Sequence, residues 1–287
     1  MEKYPGFTWG YLYPLFRLSG YVPYLSENGK KFLASNKWKL YSFLHLIFCL
    51  MWCMESYVTV AFYDSKELLP HIFTFLNFLG YPLSVMYGLL AILIKGPRIC
   101  STLEIISKIS TKDLSGANTK HQIIKKFFYY FICQFIFNIL ILYYTINREY
   151  FRLLYVYYFI YGNNELLLMD LYFCVFVDNI RNLFRSLNFG LQNIKKKRKK
   201  TLINDLQKFR KINEEYCEVA MFLEMHFLDS IFCNTAVEFT ALVFGFYYVA
   251  YNPIVLNLTF LYYWAAFFIC KMVVKVWVCS KTTKEVN

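Results

Sequence analysis

Apolar residues in this chain gather into long blocks separated by charged stretches. Six blocks reach the roughly 20 residues that a helix needs to cross a bilayer: Leu40–Tyr63, Leu69–Ile94, Phe127–Ile146, Leu153–Val177, Phe227–Ala250 and Ile254–Cys279. Between the fourth and fifth blocks the pattern changes. Leu202, Leu206, Phe209, Ile212, Tyr216, Ala220 and Leu223 recur at steps of three or four with charges between them, which predicts an amphipathic helix. No Gly or Pro interrupts it, so one helix is predicted to run from there into the block that starts at Phe227. Tyr251-Asn252-Pro253 then reads as a tight turn before the last block.

The predicted fold class is therefore all-α, a polytopic membrane helical bundle with six transmembrane helices. Residues 1–39 form an N-terminal segment that Pro5, Pro14, Gly20 and Pro23 break too often to span. It is expected at the cytoplasmic interface, with Trp9, Tyr11, Tyr13 and Phe16 at headgroup depth. Residues 40–177 hold the first four spans and 178–226 a cytoplasmic helical anchor region. Within the anchor, Leu183, Leu187 and Leu191 precede the basic run at 195–200, and two helices are predicted to hinge there. Residues 227–279 hold the last two spans, and 280–287 a cytoplasmic tail.

Composition agrees with the bundle. The chain is 58% hydrophobic and 17% charged, whereas soluble domains carry about 25% charged residues. A net charge of +12 would suggest nucleic acid in a soluble protein. Here the charge lies between the blocks, where it sets orientation and meets anionic lipid, so no nucleic-acid partner is expected. Only Lys66, Arg148 and Arg152 fall on one side of the predicted spans. Lys271 and Lys275, near the end of the last span, are expected to snorkel to the charged side. The positive-inside rule then puts both termini in the cytoplasm. The outer connections are a few residues long, which leaves no outer domain for a macromolecule. The nine cysteines show no CxxC pair and no disulfide framework, and the N-terminus lacks the pattern of a signal peptide.

Catalytic patterns are missing. His45, His71, His121 and His226 show no HExxH spacing, and no GxSxG occurs, so neither an enzyme nor a cofactor is expected. His226 and Asp229, one turn apart, read as a local hydrogen-bonded pair. Polar residues within the spans need a reason, because each is costly there. Asn77, Tyr81, Asn138, Tyr158, Tyr161, Asn164, Glu165, Tyr247 and Tyr262 suit a small-molecule pocket with apolar walls and a few orienting hydrogen bonds. Asp170 of the fourth span and Glu238 of the fifth are further intramembrane carboxylates. Each of these residues also has a plain reading, as belt anchor or interhelical glue.

Three stretches resemble the insect gustatory receptor family, relatives of the odorant receptors. Tyr13-Pro14 followed by Gly20-Tyr21-Val22-Pro23 is similar to the family's entry before its first span. Leu202 to Val249 resembles its cytoplasmic helix and fifth span. Cys279 with Lys284-Glu285-Val286-Asn287 resembles the stretch that follows its sixth span. The resemblance implies a tastant-gated cation channel of the plasma membrane in sensory neurons. It further implies a homo- or heterotetramer, with a small tastant held in the outer half of each subunit. The family's pore-lining seventh span, with its Thr-Tyr…Gln-Phe signature, is not found in this chain, which puts channel activity by the chain alone in question. A membrane carrier or a non-conducting accessory subunit is the alternative expectation.

Overall fold

In a computed structural model the described residues are 12–22, 24–27, 31–61, 68–113, 153–194, 199–251 and 258–286, with isolated positions between 129 and 139. The third predicted span lies mostly outside them.

The chain enters through α1 (Leu12–Leu18). Two hydrogen bonds close this helix: Tyr21 N–H donates to Phe16 O at 2.9 Å and Gly20 N–H to Arg17 O at 3.2 Å. That pairing is a Schellman cap, which needs a left-handed residue at its corner. Gly20 supplies it, with φ of 81°. The cap turns Phe16 and Tyr21 inward onto Tyr172, with ring centroids 5.3 and 6.1 Å away. Phe16 is fully buried, which corrects its expected place at headgroup depth: the cap aims it into the bundle. A hairpin follows, β1 (Tyr24–Glu27) against β2 (Lys31–Ala34), antiparallel with Tyr24 opposite Ala34.

Helices α2 (Asn36–Ala61), α3 (Leu68–Asp113), α4 (Leu153–Ile194), α5 (Lys199–Tyr251) and α6 (Leu258–Val286) form the bundle. At about 1.5 Å per residue, the 46, 42 and 53 residues of α3, α4 and α5 far exceed the ~30 Å of a hydrocarbon core. These helices therefore project beyond any membrane they cross. The helical part of the segment after Ile94, predicted as a loop, extends to Asp113. Pro97 removes one backbone donor without ending α3, because Ile99 and Leu103 beyond it are fully buried and hold the helix in register. The predicted polar tail is likewise helical through Val286.

α4 lies at the centre, touching α3, α5 and α6, and Leu166 to Tyr172 are all buried along it. Its far end packs on the start of α5, with Phe184 and Tyr216 rings 5.7 Å apart edge to face. The outward faces are apolar as well. Leu44, Ile47, Met51 and Met54 of α2, Leu228, Phe232 and Phe239 of α5, and Ile269, Val273 and Val276 of α6 are exposed. Helices that are apolar all round belong in lipid, and a band this extensive is foreign to a soluble surface. Asn36–Val58 and Leu79–Ile105 are long and apolar enough to cross a bilayer on length and composition alone.

Candidate functional site

Two polar clusters lie inside the bundle. The first is built where α2 crosses α4. Tyr161 and Glu165 are one turn apart on α4 and so share a face. The Tyr161 hydroxyl is 2.9 Å from Nδ1 of His45, and its ring meets Phe48 and Trp52 edge to face at 4.9 and 6.0 Å. The Tyr41 ring closes on His45 at 4.7 Å. The approach of the helices is set by Gly162, where a Cβ would stand 2.1 Å from the Trp52 ring. Glu165 is only 5% exposed, and its Oε2 has no hydrogen-bond partner in the protein. The Tyr21 hydroxyl donates to the Glu165 main-chain carbonyl at 3.3 Å, not to the carboxylate. An aromatic, half-polar corner with one unspent carboxylate oxygen can accept a hydrogen bond from a small ligand or a water.

Of the residues singled out from sequence, Tyr161, Asn164 and Glu165 are together on one stretch of α4. Tyr81 is buried on α3, beside Gly80, whose Cα faces Val237 of α5. Tyr247 is half-buried on α5. Asn77, Tyr158 and Tyr262 fall within α3, α4 and α6, but their side chains lie outside what the structure describes, and Asn138 lies outside the described residues altogether.

The second cluster was only half visible in the sequence. Lys271 and Lys275 of α6 are 4% and 6% exposed, between Asp170 of α4 at 5% and Glu238 of α5 at 0%. Lys271 Nζ pairs with Asp170 Oδ2 at 3.0 Å and with Glu238 Oε1. Lys275 Nζ pairs with Asp170 Oδ1 at 3.3 Å and Glu238 Oε2 at 2.9 Å. Asn234 donates to Asp170 Oδ1 at 2.6 Å, and Lys275 also donates to the Thr235 hydroxyl at 3.2 Å. The two lysines therefore do not snorkel. Their side chains face two carboxylates inside the bundle, and pairing there replaces the water they would otherwise seek. The available signal was two lysines one turn apart in one span, with acids in two others able to face them.

A cavity of about 10 Å³, room for one water, sits between α3, α4 and α5. Gly88, Met169, Tyr172, His226, Phe227 and Ser230 line it. His226 is buried, and its Nδ1 has no partner in the protein. Burial, helped by the nearby Lys95 ammonium, lowers the imidazole to about 4. The expected His226–Asp229 pair does not form. Asp229 instead accepts from the Tyr87 hydroxyl at 3.1 Å, because the helix turns His226 toward the core and Asp229 toward α3.

Among the described residues no group of His, Cys, Asp and Glu is placed to hold a metal ion. The profile of the family described as 7tm Chemosensory receptor matches residues 10–287. The chain belongs to the 7tm chemosensory receptor family. The match takes in the α1 cap, both polar clusters and the α6 end, so nearly the whole architecture is the receptor's own. This is a family of membrane-embedded, multi-pass receptors and not of enzymes. Compared with curated proteins one at a time, the chain matches none.

Proposed function

We propose that this chemosensory receptor is a gustatory-type subunit of a tastant-gated, non-selective cation channel in the plasma membrane. Both termini are cytoplasmic, six helices cross the bilayer, and four subunits assemble. The family match over residues 10–287 carries the receptor reading. Several features support the finer points: the apolar outer band, the charge asymmetry between spans and the resemblance of Leu202–Val249 to the gustatory receptors' helix.

The ligand, a small organic molecule, enters between helices near Tyr161, Asn164 and Glu165, with Asn77, Tyr81, Asn138, Tyr158, Tyr247 and Tyr262 as further lining. The unpartnered Glu165 oxygen supports this placement. A buried acceptor without a donor is unfavourable by about 1–3 kcal/mol, and a ligand hydroxyl or amine that satisfies it recovers that free energy as affinity.

The test is a tastant panel applied to cells expressing the receptor, with current and radiolabelled uptake recorded together. Tastant-evoked current supports the channel. Uptake without current identifies a carrier, and binding without either identifies an accessory subunit. Among responding ligands, Glu165→Gln and Tyr161→Phe should each raise the half-maximal concentration about tenfold, as expected for the loss of one such contact. An unchanged dose–response in both variants removes the ligand from this corner.

A further inference from the structure

The ring of Asp170, Glu238, Lys271 and Lys275 is unusual in its connectivity. Each lysine touches both acids, and each acid touches both lysines, so the charges alternate around a closed, neutral square. The two acids stand on different helices and the two lysines on a third. Stability does not call for this arrangement. Apolar side chains of similar volume would fill the same space without desolvating four charges.

What the square adds is dependence on position. Greasy helix faces slide past one another at little cost, whereas a buried carboxylate that loses its lysine becomes an uncompensated charge. The two lysines are one helical turn apart, with Phe267 one turn before them and Cys279 one turn after. A slide of α6 by a full turn, roughly 5.4 Å, would still bring one of them between the carboxylates. A slide by half a turn would bring neither. Beyond the ring, three contacts hold the same seam between α4 and α6. The Thr282 hydroxyl donates to Val177 O at 3.4 Å, Asn188 donates to Glu285 O at 2.7 Å, and Arg181 lies 3.8 Å from the Glu285 carboxylate. They are less buried than the ring.

We infer that the Asp170–Glu238–Lys271–Lys275 ring is a register lock, which fixes the longitudinal position of α6 on α4 and α5 and confines any sliding of α6 to steps of one turn. Turn-sized steps of one packed helix past another are an established switching element. The lysine spacing gives α6 the geometry for such a step.

Disulfide trapping in membranes tests the lock without needing a ligand. In full-length protein carrying Cys174→Ala and Cys279→Ala, Val177→Cys is paired in turn with Val278→Cys, Thr282→Cys or Val286→Cys. With the ring intact, the 177–282 pair should cross-link at least tenfold faster than the other two. Replacing the ring by Asp170→Leu, Glu238→Met, Lys271→Met and Lys275→Met should erase that preference in protein that still elutes as a single species. A second variant is directional. Phe267→Lys extends the lysine stripe by one turn, so the shifted register becomes a full square and the 177–278 cross-link should rise several-fold. A ring-free protein that keeps the 177–282 preference overturns the lock. If the ring-free protein does not fold, a Phe267→Lys pattern identical to the parent overturns it equally.

Discussion

Single residues in this receptor act mainly through what burial does to them. His226 is held near pH 4, below its ordinary 6.5, so the folded protein keeps it neutral while the unfolded chain takes up a proton first. The unfolded state then binds more protons between those two values, and stability falls as the pH drops through that window. The melting temperature in detergent should decrease between pH 7 and pH 5. His226→Phe, which keeps the ring against Phe222 and Phe227, should flatten that slope. An equal slope in the variant would place the acid sensitivity elsewhere. Steric limits are as sharp at the glycines. Gly162→Ala drives a Cβ into the Trp52 ring, an overpacking expected to lower stability by about 1–3 kcal/mol. Gly20→Ala forces a side chain into the left-handed cap, at roughly 1 kcal/mol or more. Thermal melts of the two variants measure both. Gly20 was legible in the sequence as a breaker between Pro14 and Pro23, though not as a helix cap. Gly162 was not, because its partner Trp52 lies 110 positions away and no local pattern links them.

Helices were more legible than their ends. The period of three and four from Leu202 to Leu223 pointed to α5, and α5 runs unbroken from Lys199 to Tyr251. The apolar block ended at Ile94, and Gly96 and Pro97 follow it, yet α3 continues to Asp113. Local breakers lost there to the burial of Ile99, Cys100 and Leu103, an outcome that only packing decides. The charged pair on α6 shows the same limit. Lys271 and Lys275 near a span end look free to snorkel until the acids on α4 and α5 are placed opposite them. The extensions of α4 and α5 beyond the apolar blocks should matter to folding in their own right. Tyr216→Ala removes the ring that meets Phe184 and should destabilise the protein by about 3–5 kcal/mol, the usual cost of deleting a buried aromatic. Protease protection of the 178–226 segment would report it. Unchanged protection would mean that the two extensions do not support one another.

At the scale of the whole molecule, sidedness organises everything else. The outward band of Leu, Ile, Met and Phe needs lipid, and the long ends of α3, α4 and α5 need a compartment rich enough in space to receive them. On the proposed topology that compartment is the cytoplasm. On that topology the proposed ligand entry near Glu165 is reached from the outer side, while the α4–α5 extension and the α6 end lie inside. Epitope tags placed before residue 10, after Asn287 and in the 64–67 connection, read by antibody on intact and then permeabilised cells, test this arrangement most directly. Both terminal tags should stain only after permeabilisation, and the 64–67 tag should stain on intact cells. Either terminus staining on intact cells would contradict the topology and the ligand entry drawn from it.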